Sequence, residues 1–207
     1  MKYREVVLAL AILFAGTAVA MSAGSARAEA EHQHHHHHAM AADSGYQRTS
    51  ASYDIPDVRL VDMHGAQVSL RDGLNGDEPV MLNFIFTTCT AICPVMSATF
   101  RQVQEQLGEE RSKVRMVSIS IDPENDTPDR LKEYAARFEA GPQWRMLTGS
   151  VADSIAVQRA FGAYRGDKMN HAPATFLRAG AGKPWVRLDG FASASDIIHE
   201  YRKLAAH

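Results

Sequence analysis

Pro79 to Phe86, PVMLNFIF, is the segment that most limits what this chain can fold into. Apolar on both faces of an extended backbone, it has no side to offer water, so it fits a central strand covered above and below. Around it the pattern alternates. Val58 to Met63 and Gln67 to Leu70 predict two short strands about a His64-Gly65 turn. Pro94 to Leu107 sets Val95, Met96, Phe100, Val103 and Leu107 at helical spacing, and Gly108 ends that helix. Val114 to Ile121 predicts a strand. Thr127-Pro128 starts a helix, as N-cap and first turn, that runs to about Phe138. Trp144 to Leu147 predicts a strand and Ser150 to Phe161 a helix with Ile155 and Phe161 inward. Ala174 to Arg178 and Trp185 to Leu188 predict strands about a Gly180-Ala181-Gly182 turn, and Ser195 caps a last helix to Leu204.

Strands alternating with helices predict an α/β domain with a mainly parallel central sheet and helices on both faces. The closing strand–strand–helix adds an antiparallel edge, and Val58 to Leu70 adds an N-terminal β-hairpin. That is a thioredoxin-like layout, spanning residues 57–207.

Two segments precede it. Lys2 and Arg4 stand before the apolar run Val6 to Ala20, and Ala26-Arg27-Ala28 has the small-x-small form that signal peptidase accepts, so residues 1–28 read as a signal peptide. The competing reading is an uncleaved anchor, because Val6 to Ala26 is uncharged and long enough to span a bilayer. Either way the rest of the chain is expected outside the cytoplasm, in the periplasm or otherwise exported. Residues 29–56 read as a His-rich linker. They contain His32 and the run His34 to His38, which is either an expression tag or a natural metal-collecting tract.

A formal charge of -2 gives no reason to expect nucleic acid or an anionic membrane surface as a partner. More telling is that the 207 residues hold two cysteines, Cys89 and Cys93, with three residues between them. In an exported protein a structural disulfide is the plain expectation. So short a loop, however, removes little chain entropy, which makes redox or metal chemistry the better account. The pair lies in FTTCTAICP, Phe86 to Pro94, where the buried strand gives way to a helix. Open N–H groups and the positive helix end favour thiolate there. Thioredoxin-type enzymes separate their cysteines by two residues. The third residue here loosens the loop and lets two thiolates spread around a soft ion such as Cu(I).

His171 stands in a loop just before a predicted strand, which a thioredoxin-like sheet packs beside the cysteine junction; its imidazole would suit Cu(II). The third candidate is the acidic stretch Ser120 to Pro128, SIDPENDTP. Asp122 reads equally as a group orienting the metal loop and as turn chemistry, and Asp126 reads mostly as turn. His64, His199 and His207 read as surface residues. Met96 and Met169 are candidate thioethers, Met96 more naturally as packing.

FTTCTAICP after a strand, SIDPENDTP followed by the helix LKEYAARF, and the isolated His171 together resemble the Sco/SenC family of copper chaperones of cytochrome oxidase assembly. The resemblance runs from about Tyr53 to the C-terminus. It implies copper, Cu(I) or Cu(II), bound by Cys89, Cys93 and His171. It also implies delivery to the binuclear copper centre of an oxidase subunit, or to another cuproprotein, with a thiol reductant as a further partner. Asp122 matches a family acidic position. Two departures stand out. Thr88 and Thr90 to Ile92 fill positions where a proline and an acidic residue are common in the family. Pro173 follows His171 by two, as a cis-proline lies beside the cysteines of thioredoxins. Three functions follow: a copper metallochaperone; a thiol-disulfide oxidoreductase in which Cys89 attacks and Cys93 resolves; and a metal buffer or sensor acting through the His tract.

Overall fold

The computed structural model describes residues 45–206. The signal peptide at 1–28, the His run and His207 lie outside the described residues. In chain order the elements are β1 (Tyr46–Ala51), β2 (Arg59–Asp62), β3 (Gln67–Ser69), α1 (Leu70–Leu74), β4 (Val80–Ile85), α2 (Ile92–Leu107), β5 (Arg115–Ser120), α3 (Pro128–Arg137), β6 (Trp144–Thr148), α4 (Val151–Ala160), β7 (Ala174–Arg178), β8 (Trp185–Gly190) and α5 (Ala194–Ala205). Short 3₁₀ turns occupy Gly108–Lys113 and Lys168–Asn170.

The strands form one sheet in the order β1-β8-β7-β4-β5-β6-β2-β3. All six residues of β4 are buried, between β5 and β7, as its doubly apolar sequence demands. Alternate side chains of β4 enter different cores. Met81 and Ile85 pack with α2, α3 and α5 through Phe100, Leu131 and Ile197. Val80, Leu82 and Phe84 pack with α1 and α4 through Leu74 and Val157. On that second face Phe161 meets the rings of Phe176 and Trp185, each at 5.2 Å, and of Phe84 at 5.9 Å.

The thioredoxin-like fold is as expected, but the sheet is mixed rather than mainly parallel. Among the described residues the β4–β5 and β5–β6 pairings are parallel and the remaining five antiparallel. The connections carrying α2 and α3 return the chain parallel to the strand it has just left, whereas the β7–β8 turn and the β2–β3 hairpin reverse it directly.

Part of the expected linker 29–56 is structured. Its residues 46–51 are the edge strand β1, in register with β8 from Tyr46↔Gly190 to Ala51↔Trp185. Farther on, Tyr53 stacks in the aromatic group and Ile55 is buried. The segment is polar because an edge strand is held by backbone hydrogen bonds and shows its side chains to water.

Helix caps follow the sequence closely with one shift. The side chains of Thr127 and Ser150 accept from the N–H groups of Arg130 and Asp153. The cap of α5 is Ser193, not Ser195: Ser193 and Asp196 form a reciprocal capping box. Within α4 it is Ser154, Val157 and Gln158 that face inward, while Ile155 is half-buried on the wall of a surface cleft.

Candidate metal centre

The parallel strands β4 and β5 end side by side, Ile85 opposite Ser120, and their C-terminal ends deliver both sequence motifs to one edge. Beyond β4 the chain turns at once, the Cys89 N–H donating to the Phe86 carbonyl at 3.2 Å. Helix α2 then begins two residues earlier than the apolar spacing predicts, placing Cys93 inside its first turn.

Ala91, at the N-cap position of α2, has no side chain that can cap. The Cys89 sulfur does the work instead, accepting from the Cys93 N–H at 3.4 Å. Burial raises the Cys89 pKa, but the N–H groups of Cys93 and Ala91, the Cys93 thiol and the Ile92 N–H outweigh it, so the pKa lies below that of an ordinary thiol. Cys93 is the opposite. It is 0% exposed within the α2-side core. Burial drives its pKa far up; a hydrogen bond from the Phe86 backbone works the other way, and the neighbouring Cys89 and Asp126 charges push with burial. Both cysteines are free. The pair is therefore one more acidic thiol towards the surface and one less acidic thiol buried behind it.

The cysteine arm is fastened by Asp126. This carboxylate is 0% exposed and accepts from the Thr87 N–H at 3.1 Å, the Thr87 hydroxyl at 2.6 Å and the Ser120 hydroxyl at 2.5 Å. The sequence assigned Asp126 mostly to the turn and gave Asp122 the even chance of reaching the metal loop. The structure reverses their roles with respect to the cysteines. Asp122 instead holds the opposite arm: its carboxylate accepts from Asn125 at 3.0 Å and from Lys168 Nζ at 2.6 Å.

Lys168 opens the 3₁₀ turn that leads to His171. The His171 ring reaches the Phe84 carbonyl through Nε2 at 3.0 Å. A carbonyl only accepts, so Nε2 carries the proton and Nδ1 keeps the lone pair. Burial lowers the pKa of His171; the Phe84 carbonyl favours the charged ring and offsets part of this, while Arg165 adds to the lowering. The ring is neutral at neutral pH, as a metal ligand must be.

Cys89 and His171 line the same cavity, of about 110 Å³, with Phe86, Ile92, Lys168 and Met169. Cys93 lies behind its wall. Two cysteine sulfurs and a neutral imidazole form a donor set that fits copper. Among the described residues, though, no three His, Cys, Asp or Glu side chains stand ready around one point. Engaging all three donors requires a shift of the His171 loop or of Cys93. A larger cleft of about 310 Å³ lies across Lys168, with neither cysteine nor histidine in its wall.

Of the weaker candidates, His64 and His199 are exposed. Met96 is buried packing, whereas Met169 stands at the mouth of the cavity. The Ala172–Pro173 bond is trans, as are all peptide bonds among the described residues, so the likeness to the thioredoxin cis-proline does not hold. Sequence reasoning missed Lys168 and the Phe84 carbonyl; neither a lone lysine nor a backbone oxygen carries a pattern that could reveal it.

The SCO1/SenC family profile matches residues 47–206. The SCO1 protein homolog of Bacillus subtilis is 39% identical over 99 residues, 47% of this chain and 50% of that one. A putative copper-binding protein of Stutzerimonas stutzeri is 34% identical over 109 residues, 52% of each chain. The chain thus spans about half the length of these curated relatives. Among solved structures, BsSco, described as a member of the Sco family of cytochrome c oxidase assembly proteins with a disulfide switch, superposes with a TM-score of 0.63 at 30% identity, covering 74% of this chain and 94% of that one.

Proposed function

This chain belongs to the SCO1/SenC family, and from that premise we propose that it is an extracytoplasmic copper metallochaperone whose cargo is held by Cys89, Cys93 and His171. The observation that carries the reading is the shared cavity of Cys89 and His171, with the second thiol directly behind it. Two soft sulfurs suit Cu(I), and the neutral imidazole extends the set to Cu(II). Copper binding is in the name of the Stutzerimonas relative and oxidase assembly in the description of BsSco. Both support delivery to the binuclear copper site of a cytochrome c oxidase subunit, or to another cuproprotein. Residues 1–28 act in this reading as the export signal that puts the domain in the periplasm, or as its membrane tether. Among the described residues no helix is long and apolar enough to cross a membrane.

The test is copper stoichiometry on protein lacking His32 to His38, so that the tract does not mask the site. One copper per chain is expected, falling to background in a Cys89→Ser/Cys93→Ser variant. Equal copper in both proteins would overturn the reading.

The contrast between the two thiols favours a second activity, reduction of disulfides in a partner. Cys89 thiolate attacks one sulfur of the partner disulfide, forming a mixed disulfide and expelling a partner thiolate. Cys93, on losing its proton, then attacks the Cys89 sulfur, frees the second partner thiol and leaves a Cys89–Cys93 disulfide for a thiol reductant to restore. A Cys93→Ser protein should accumulate mixed disulfides with exported partners. If none are trapped while His171→Ala is as damaging as loss of either cysteine, copper carriage alone remains.

A further inference from the structure

We propose that Met169 is a further copper ligand, whose thioether meets Cu(I) together with the Cys89 thiolate at the mouth of the cavity before Cys93 is engaged. The inference rests on the copper-carrying reading above and extends its set of donors.

Single exposed apolar side chains are ordinary on protein surfaces. What sets Met169 apart is where the hydrogen bonds of its turn place it. The Met169 N–H donates to the Asp167 carboxylate at 2.8 Å. On one side Lys168 is bound to Asp122 at 2.6 Å, and two residues on, His171 is bound to the Phe84 carbonyl at 3.0 Å. The turn presents a methionine that is 74% exposed, on the wall of the cavity that also holds Cys89 and His171. Methionine sulfur is a soft, uncharged donor selective for Cu(I) over harder ions, and it releases its cargo more readily than a thiolate does.

The buried placement of Cys93 gives such a donor a purpose. An arriving Cu(I) finds one cysteine sulfur, not two, within reach of the surface. Cu(I) leaves the ligands of its carrier as bonds form to Cys89 Sγ and Met169 Sδ. When Cys93 takes over, its thiol proton passes to water and the Met169–copper bond breaks. Copper stays Cu(I) throughout, so no oxidant or reductant is needed. Release runs the same steps backwards.

The experiment uses the full chain, made with selenomethionine and loaded with one equivalent of Cu(I) from a bicinchoninate complex. X-ray absorption at the selenium edge should show a copper neighbour in the parent, and that neighbour should vanish in Met169→Leu. Transfer of Cu(I) between protein and bicinchoninate should slow about tenfold in Met169→Leu, with the melting temperature and the alkylation rate of Cys89 unchanged. A parent without a copper–selenium neighbour, one that survives Met169→Leu, or unchanged transfer rates would overturn the inference. Parent and Cys89→Ser/Cys93→Ser proteins, each lacking His32 to His38, taking up Cu(I) alike would instead overturn the copper-carrying reading, and this inference with it.

Discussion

Two aspartates four residues apart hold the two arms of the candidate site, and they hold them differently. Asp126 is sealed inside the protein and ties the N–H and hydroxyl of Thr87, on the cysteine arm, to the Ser120 hydroxyl at the end of β5. Asp122 grips the histidine arm through Lys168, an ion pair whose cation is 35% exposed to solvent. Buried hydrogen bonds to a carboxylate are costly to lose, because the donors left behind are cut off from water. A pair open to solvent is weak and screened by salt. The cysteine arm is thus a fixed platform and the histidine arm a releasable one. That division suits a site whose donors are not yet gathered around one point.

The largest expected effect comes from breaking the firm side. Asp126→Ala leaves the Thr87 N–H, the Thr87 hydroxyl and the Ser120 hydroxyl without their acceptor, and should cost about 3 kcal/mol of stability. Urea denaturation would measure it, and a loss under about 1 kcal/mol would show that the cysteine arm is not held as described.

Next in size is the contrast between the thiols. Iodoacetamide should modify Cys89 at least about tenfold faster than Cys93 in the native protein, since only thiolate reacts. The pH midpoint of the Cys89 reaction should fall below that of an ordinary thiol. The linked stability has the same sign. It is complete above the unfolded thiol's pKa and is lost as pH falls through the lowered folded one. Mass spectrometry of timed samples would show which cysteine is labelled, and equal rates would abolish the platform's asymmetry.

The smallest effect belongs to the loose side. Lys168→Ala should cost under about 1 kcal/mol of global stability, yet speed amide exchange of the turn 168–171 relative to β4. High salt should have a similar effect on the parent protein, and insensitivity to both would mean that the histidine arm is held by something other than Asp122.

Much of this was legible from pattern. The doubly buried run at Pro79 to Phe86, the Thr127 cap and the cysteines at a strand–helix junction each follow from local chemistry, and local chemistry is what a sequence displays. What escaped depends on partners distant in the chain. β1 is a strand because β8 offers it an edge, not because YQRTSA alternates. Asp126 and Asp122 are chemically alike, and only the fold decides that one turns inward to Thr87 while the other meets a lysine 46 residues away. Ser193 and Ser195 are both good caps, and the choice fell to whichever had Asp196 three residues on.

The helix cap supplied by the Cys89 sulfur has one more consequence. The lone pairs that finish α2 are those that a metal, an alkylating reagent or a second sulfur would draw on. Whatever happens at that atom is therefore also a mechanical event at the head of a sixteen-residue rod.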